Sequence, residues 1–301
     1  MTAETITIEH APEGRQPEDV EEYETRAIGD FRLVALLIGA VLAGAIAASS
    51  PHNPDDSQEM QRWVIYVLIG ALMGAAAGEG FGFGISRWRE VVRIRPISFW
   101  RVLPMLILVV AIAVGLMRLT PVISSAVTPR GWALSLIAIV GALPLAATLT
   151  AVQLLTRRKL PGSVGHQLGT LLWLRRTVSR MLSELGVIVL LVMAVNRAAV
   201  EFGDKQDPIV VIFAGAIGSF VVGIMYVPAA TTLRRRASTY VQRNFTLDGV
   251  PQAELVGAAE DLGKLEKLLG LDQTTFGDLR SGLVILTPFV VSALSALLPK
   301  F

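Results

Sequence analysis

Residues 65–87 read IYVLIGALMGAAAGEGFGFGISR, and this run decides the fold. With Trp63 and Val64 before it, the run is long enough to cross a membrane. A helix needs about 20 mostly apolar residues to span a ~30 Å hydrocarbon layer. Inside it Gly70, Gly74, Gly78 and Gly82 recur every four residues, so the stripe drifts only about 40° per step around the helix. Ala71 and Ala75 widen the stripe and Phe81 intrudes on its sector. Small residues at this spacing let two helix backbones approach closely in lipid. Two readings follow, a close helix pair within the chain or a subunit-contact or pore-lining helix.

Glu79 stands within this glycine run, seven residues before Ser86, or about 10 Å from the nearer end of the span. A lone ionised group in hydrocarbon is costly, so such residues face a bundle interior or water and mark ion or proton paths by default. Glu79 is therefore a candidate ion or proton site. Tyr226, at similar depth in the sixth apolar run, is the alternative partner that would make it a structural hydrogen-bonding group.

Working outward, six further runs have the same character, giving seven expected spans: Phe31–Ser49, Trp63–Ser86, Val102–Leu119, Trp132–Leu155, Leu182–Val200, Pro208–Thr232 and Gly282–Leu298. The last is short and contains Pro288, so it either crosses or lies on the membrane. Orientation follows from the connections. Those after the second, fourth and sixth runs hold eighteen basic residues against six on the other side, which puts the N-terminus in the cytoplasm. Trp63 and Trp132 fall at the expected outer boundary and Trp88, Trp100 and Trp173 near the inner one, the level indole rings prefer.

Composition agrees. Of the 301 residues 52% are hydrophobic and only 17% charged, below the ~25% charged of soluble domains, and mean hydropathy is +0.57. The absence of cysteine excludes disulfides, thiol nucleophiles and cysteine metal sites. Arginine makes up most of the basic residues, which with the Ala, Gly and Val richness points to a bacterial inner membrane. The fold class expected is an all-α polytopic membrane protein of about seven transmembrane helices with a small helical cytoplasmic loop region.

Four segments follow. Residues 1–29 are an acidic, solvated cytoplasmic tail, with room for a short helix from Glu18 to Ile28. Residues 30–232 are a six-helix transmembrane bundle, 233–281 a cytoplasmic loop with an amphipathic helix, and 282–301 a C-terminal transmembrane or membrane-associated helix. The string AGAIAASS at residues 43–50 looks like a cleavage site, but the leader before the first run is acidic, so the run reads as a retained helix. Leu255, Ala258, Leu262, Leu265 and Leu269 form a helical stripe that packs on the protein's own loops or recruits a partner. Around Trp173 the chain reads as an interfacial helix on the inner membrane surface. Arg234, Arg235 and Arg236 form an anchor for anionic lipid headgroups.

His52, Asp55, Asp56 and Glu59 are metal-capable residues close together, but short acidic turns look alike without a metal, and no metal site or cofactor is assigned. Motifs for ATP, nicotinamide or zinc-protease chemistry are absent, no acid–base pair points to an enzyme, and lipid explains the basic loops better than nucleic acid. No internal repeat of the kind found in transporters is visible. The functional expectation is a channel or transporter for a small solute or ion, acting as a homo-oligomer. The alternative is a non-catalytic membrane subunit, sensor or effector that anchors a partner complex at the cytoplasmic face.

Overall fold

A computed structural model describes residues 17–119, 128–201, 209–245, 251 and 254–271. Among these it contains seven α-helices: α1 Pro17–Ala48, α2 Ser57–Ile94, α3 Phe99–Met117, α4 Pro129–Thr156, α5 Val164–Glu201, α6 Ile209–Asn244 and α7 Leu255–Leu269. The first six are long and apolar enough to cross a membrane, and the chain is an all-helical polytopic membrane protein. The expected seventh span, Gly282–Leu298, lies outside the described residues.

The helices overrun the apolar segments. Helix α2 has 38 residues, about 57 Å at 1.5 Å per residue, so it extends well beyond the hydrocarbon layer. Its start is defined by Asp56, whose side chain accepts from the backbone N–H groups of Gln58 and Glu59 at 2.9 and 3.3 Å. Glu59 reaches back to the N–H of Asn53 at 3.2 Å. These carboxylates of the first connection thus serve as helix caps, and His52 stacks on Trp63 with ring centroids 4.3 Å apart.

Three boundaries differ from the sequence reading. The helix that begins in the acidic tail is continuous with the first span, since α1 starts at Pro17. The interfacial segment around Trp173 is not a separate surface helix; it is the first half of α5. No proline falls between Val164 and Leu182 to break it, and its apolar face is buried in protein, with Leu171, Leu174, Val178 and Met181 at most 3% exposed. Helix α6 likewise runs on through Arg234, Arg235 and Arg236 to Asn244, held by buried Leu233, Ala237, Tyr240 and Val241. The Tyr240 hydroxyl donates to the carbonyl of Val164 at 2.9 Å, tying the ends of α5 and α6 together.

Helix α2 is the centre of the bundle, with α1, α4 and α5 against it, while α3 packs on α4 and α6 at the other side. Large apolar side chains on the outer faces are exposed, among them Leu37 and Val41 of α1, Leu68 and Leu72 of α2, Ile107 of α3 and Leu136 of α4. This inverted surface is what lipid solvation requires.

Beyond the arginine-rich end, α7 docks on α5 and α6. Leu262 and Leu265 pack against the core and Leu269 is buried, so the stripe is used from Leu262 onward. Leu255 stays 41% exposed. The helix stops at Gly270, which adopts φ 68°, the left-handed conformation glycine takes at helix ends. Arg175 of α5 donates to the Leu268 carbonyl at 2.5 Å and closes the cap.

Candidate functional site

The glycine stripe of α2 lies against α1. A Cβ added at Gly74 would run into the carbonyl of Gly39, and one at Gly78 into that of Ala35. At Gly70 it would meet the Ala47 side chain at 2.9 Å, and at Gly82 the Arg32 backbone at 3.1 Å. Backbones in such contact leave no room between them for a pore or for a second copy of the chain. The matching residues on α1, namely Ala35, Gly39, Ala43 and Ala47, are themselves four apart, a signal available in the sequence that pairs the two helices.

A second small-residue face of α2 meets α4. A Cβ on Gly84 would meet Pro144 and Leu145 at 2.7 Å, and one on Gly141 the carbonyl of Ala77 at 2.5 Å. The Thr148 hydroxyl sits 3.0 Å from the Gly84 carbonyl and 2.8 Å from that of Pro144, bridging the helices at the proline.

Glu79 is not alone. Its carboxylate accepts from the guanidinium of Arg32 on α1 in an ion pair whose side chains are about a quarter exposed (24% and 23%). Tyr226 belongs to α6, whose packing neighbours are α3, α4, α5 and α7. Arg32 falls inside the expected first span, Phe31–Ser49, and nothing in the sequence singles it out as the partner, because 47 positions separate the two. The pair belongs to a larger cluster around Phe83, which is completely buried. Guanidinium carbons of Arg32, Arg87 and Arg180 stand 5.3, 5.2 and 4.8 Å from its ring centre. Arg87 donates to Glu90 at 2.5 Å and Arg180 lies 3.7 Å from Glu184. Three cations and three carboxylates therefore balance around one aromatic ring. Such an arrangement locks α1, α2 and α5 together at the arginine-rich end. It offers no uncompensated carboxylate to a passing cation.

Arg234, Arg235 and Arg236 follow the membrane part of α6; Arg235 is exposed and the other two half-buried. On α7, Lys264 lies within 3.0 Å of Glu260 and 3.2 Å of Asp261, and these hydrogen bonds hold its ammonium above the ordinary lysine range.

An apolar concave feature of the bundle lies elsewhere. Between α3, α4, α5 and α6, in the half away from the arginine-rich end, is a cavity of about 170 Å³. Its wall is mainly aliphatic, including Ala138, Ile188, Val222 and Met225, with Thr128, Ser135 and Asn196 as polar points. At the mouth Arg118 lies over the Trp132 ring at 5.3 Å. Toward the arginine-rich end α4 and α5 are close-packed, with Leu145, Leu149, Met181 and Leu185 at most 1% exposed. The sequence reading missed this site, since its walls look like ordinary span residues. Pro104, Pro144 and Pro228 lie within α3, α4 and α6, but none of them lines the cavity, so they give no sequence signal of it.

The fold defines an integral, multi-pass α-helical membrane protein. No protein-family model, curated protein or solved structure matches this chain.

Proposed function

We propose that the protein is a membrane carrier for a small, largely apolar solute, taken into the cavity between α3, α4, α5 and α6 from the side opposite the arginines. The observation that carries this reading is the cavity itself, mostly aliphatic, with close-packed residues of α4 and α5 toward the arginine-rich end. Its volume is comparable to an apolar protein cavity of roughly 150 Å³ that accepts benzene. A few polar groups in an apolar wall orient a ligand, whereas an ion would need a polar lining throughout. Three of the four wall helices carry a proline, where a helix can bend. Passage would require the close packing around Leu145, Leu149, Met181 and Leu185 to open while the mouth closes.

The test uses the natural absence of cysteine. In proteoliposomes, Ser135→Cys should react with a small impermeant thiosulfonate added from either side in turn, as the protein alternates. Reactivity from one side only would make the cavity a static binding site, and reactivity from neither would refute the proposal.

A second reading, a membrane subunit that holds a partner, is favoured by α7. Val256 and Leu268 are 77% and 60% exposed on an element outside the membrane, an apolar surface a partner protein would cover. Leu268→Glu would release such a partner while leaving the bundle intact; an unchanged set of co-purifying proteins would defeat this reading. A homo-oligomer would need a surface other than the glycine stripe, and the particle mass in detergent decides its existence.

A further inference from the structure

The cavity between α3, α4, α5 and α6 carries its polar atoms at one end. On α4 the lining residues deeper than Ser135 are apolar down to Ala142, and on α5 those deeper than Asn196 are apolar down to Leu185. At 1.5 Å per residue that apolar depth is about 10 Å along α4 and about 16 Å along α5. Among the described residues no charged side chain lines the wall.

The polar groups at that end are unequally engaged. Thr128 uses its side-chain oxygen at the helix start, accepting from the Gly131 N–H at 3.3 Å. Further along the same helix, Thr150 and Thr156 return their hydroxyls to carbonyls four residues back, at 2.8 and 2.9 Å, the local bond open to any helical serine or threonine. Ser135 does not do so. It is half-buried and makes no hydrogen bond among the described residues. Asn196 donates from Nδ2 to the Val192 carbonyl at 2.9 Å, which fixes the amide and leaves Oδ1 as an acceptor. Ser135 and Asn196 together also border a smaller void of about 20 Å³ against Tyr66 and Met73 of α2. One free donor and one free acceptor therefore stand at the same end of an apolar cavity.

We infer that the solute is a neutral hydroxyl compound, an alcohol or phenol whose apolar body is about the size of benzene. Its hydroxyl sits at Ser135 and Asn196, and its body points toward Leu185. This assignment rests on the cavity being the solute site proposed above. A hydroxyl can accept from Ser135 and donate to Asn196 Oδ1 through a single oxygen. A ketone or ester only accepts, so the asparagine oxygen would go unpaired. An ammonium or carboxylate would find no opposite charge in the wall. A hydrocarbon fills the apolar depth but leaves both polar groups unsatisfied. Sites that bond a ligand hydroxyl discriminate against the analogue that lacks it.

The test uses 3-fluorophenol and fluorobenzene, which differ by the hydroxyl alone. Binding to the full-length protein in nanodiscs is read by fluorine NMR against empty nanodiscs, with free ligand set by dialysis. 3-Fluorophenol should bind at least tenfold more tightly than fluorobenzene. Ser135→Ala and Asn196→Leu should each bring the two ligands within about threefold, while Ser135→Thr keeps the preference. Retained fluorobenzene binding shows that the variant cavities are intact. Equal affinities in the parent protein, or a preference that survives both substitutions, would overturn the hydroxyl assignment and leave the cavity as a solute site. Binding of neither ligand would overturn both. Thiol reactivity of Ser135→Cys from one side only would remove transport, yet the tenfold preference would stand.

Discussion

Replacing Arg32 with Gln should damage the protein more than replacing its partner Glu79 with Gln, although each change removes the same ion pair. The asymmetry follows from depth. Arg32 stands at the start of the apolar part of α1, with a long stem that can carry its charge back to the interface. Glu79 lies about 10 Å inside the apolar part of α2, measured from Ser86, with a short side chain. A carboxylate stranded at a helix centre costs about 2.5–3.5 kcal/mol. Glu79 is off centre and partly exposed, so about 2 kcal/mol is the reasonable share for Arg32→Gln. Glu79→Gln forfeits the pair and leaves a guanidinium that still has the Phe83 face beside it, a loss of about 1 kcal/mol or less. The double substitution leaves no stranded charge and should be more stable than Arg32→Gln alone, a coupling of about 1–2 kcal/mol. Thermal unfolding in detergent, followed by size-exclusion fluorescence, reads all four proteins side by side. At about 2–4 °C per kcal/mol, the expected gap between the two single variants is several degrees. Glu79→Gln losing as much as Arg32→Gln, or the two losses simply adding in the double variant, would refute the reasoning. Flux lost in Glu79→Gln at an unchanged melting temperature would restore the ion-site reading.

Three further outcomes follow from the packing. Gly74→Leu should abolish the folded monomer, because the α1 backbone occupies the space a Cβ needs, whereas Gly115→Ala, with nothing within 4 Å, should be neutral or raise the melting temperature slightly; yield and melting of the two variants check this. Leu262→Asp and Arg175→Ala should each loosen α7, the first by burying a charge and the second by opening its C-terminal cap, and faster hydrogen exchange over residues 255–269 with the bundle unaffected is the readout. Asp56→Ala should cost about 1 kcal/mol through the lost cap of α2, while Asp56→Asn should retain most of it, as melting in detergent will report.

The membrane class, the first six spans and the surface of α7 that packs were legible because each rests on a local pattern: a run of apolar residues, or leucines three and four apart. Helix ends were less so. Hydropathy falls where α5 and α6 leave the bilayer, yet the helices continue, because Leu171, Leu174 and Tyr240 find protein to pack against. The Glu79 pairing was hidden for a different reason, since nothing periodic connects it to Arg32. The partner of the glycine stripe was within reach, because Ala35, Gly39, Ala43 and Ala47 repeat the same spacing one span earlier. The cavity was not, since a void depends on what four helices fail to fill together.

The contact of α1 with α2 also bears on how the chain enters the bilayer. Only the connection from Ser49 to Asp56 separates the two helices, so they leave the ribosome in quick succession. Helix α2 carries into the bilayer a carboxylate whose partner arrives on α1, and its glycine face has little apolar surface to offer lipid. Both needs are met if the pair partitions as a preassembled hairpin, glycine against glycine and Glu79 against Arg32. Biogenesis would then begin with a two-helix unit already packed, on which α4 and α5 assemble as they emerge.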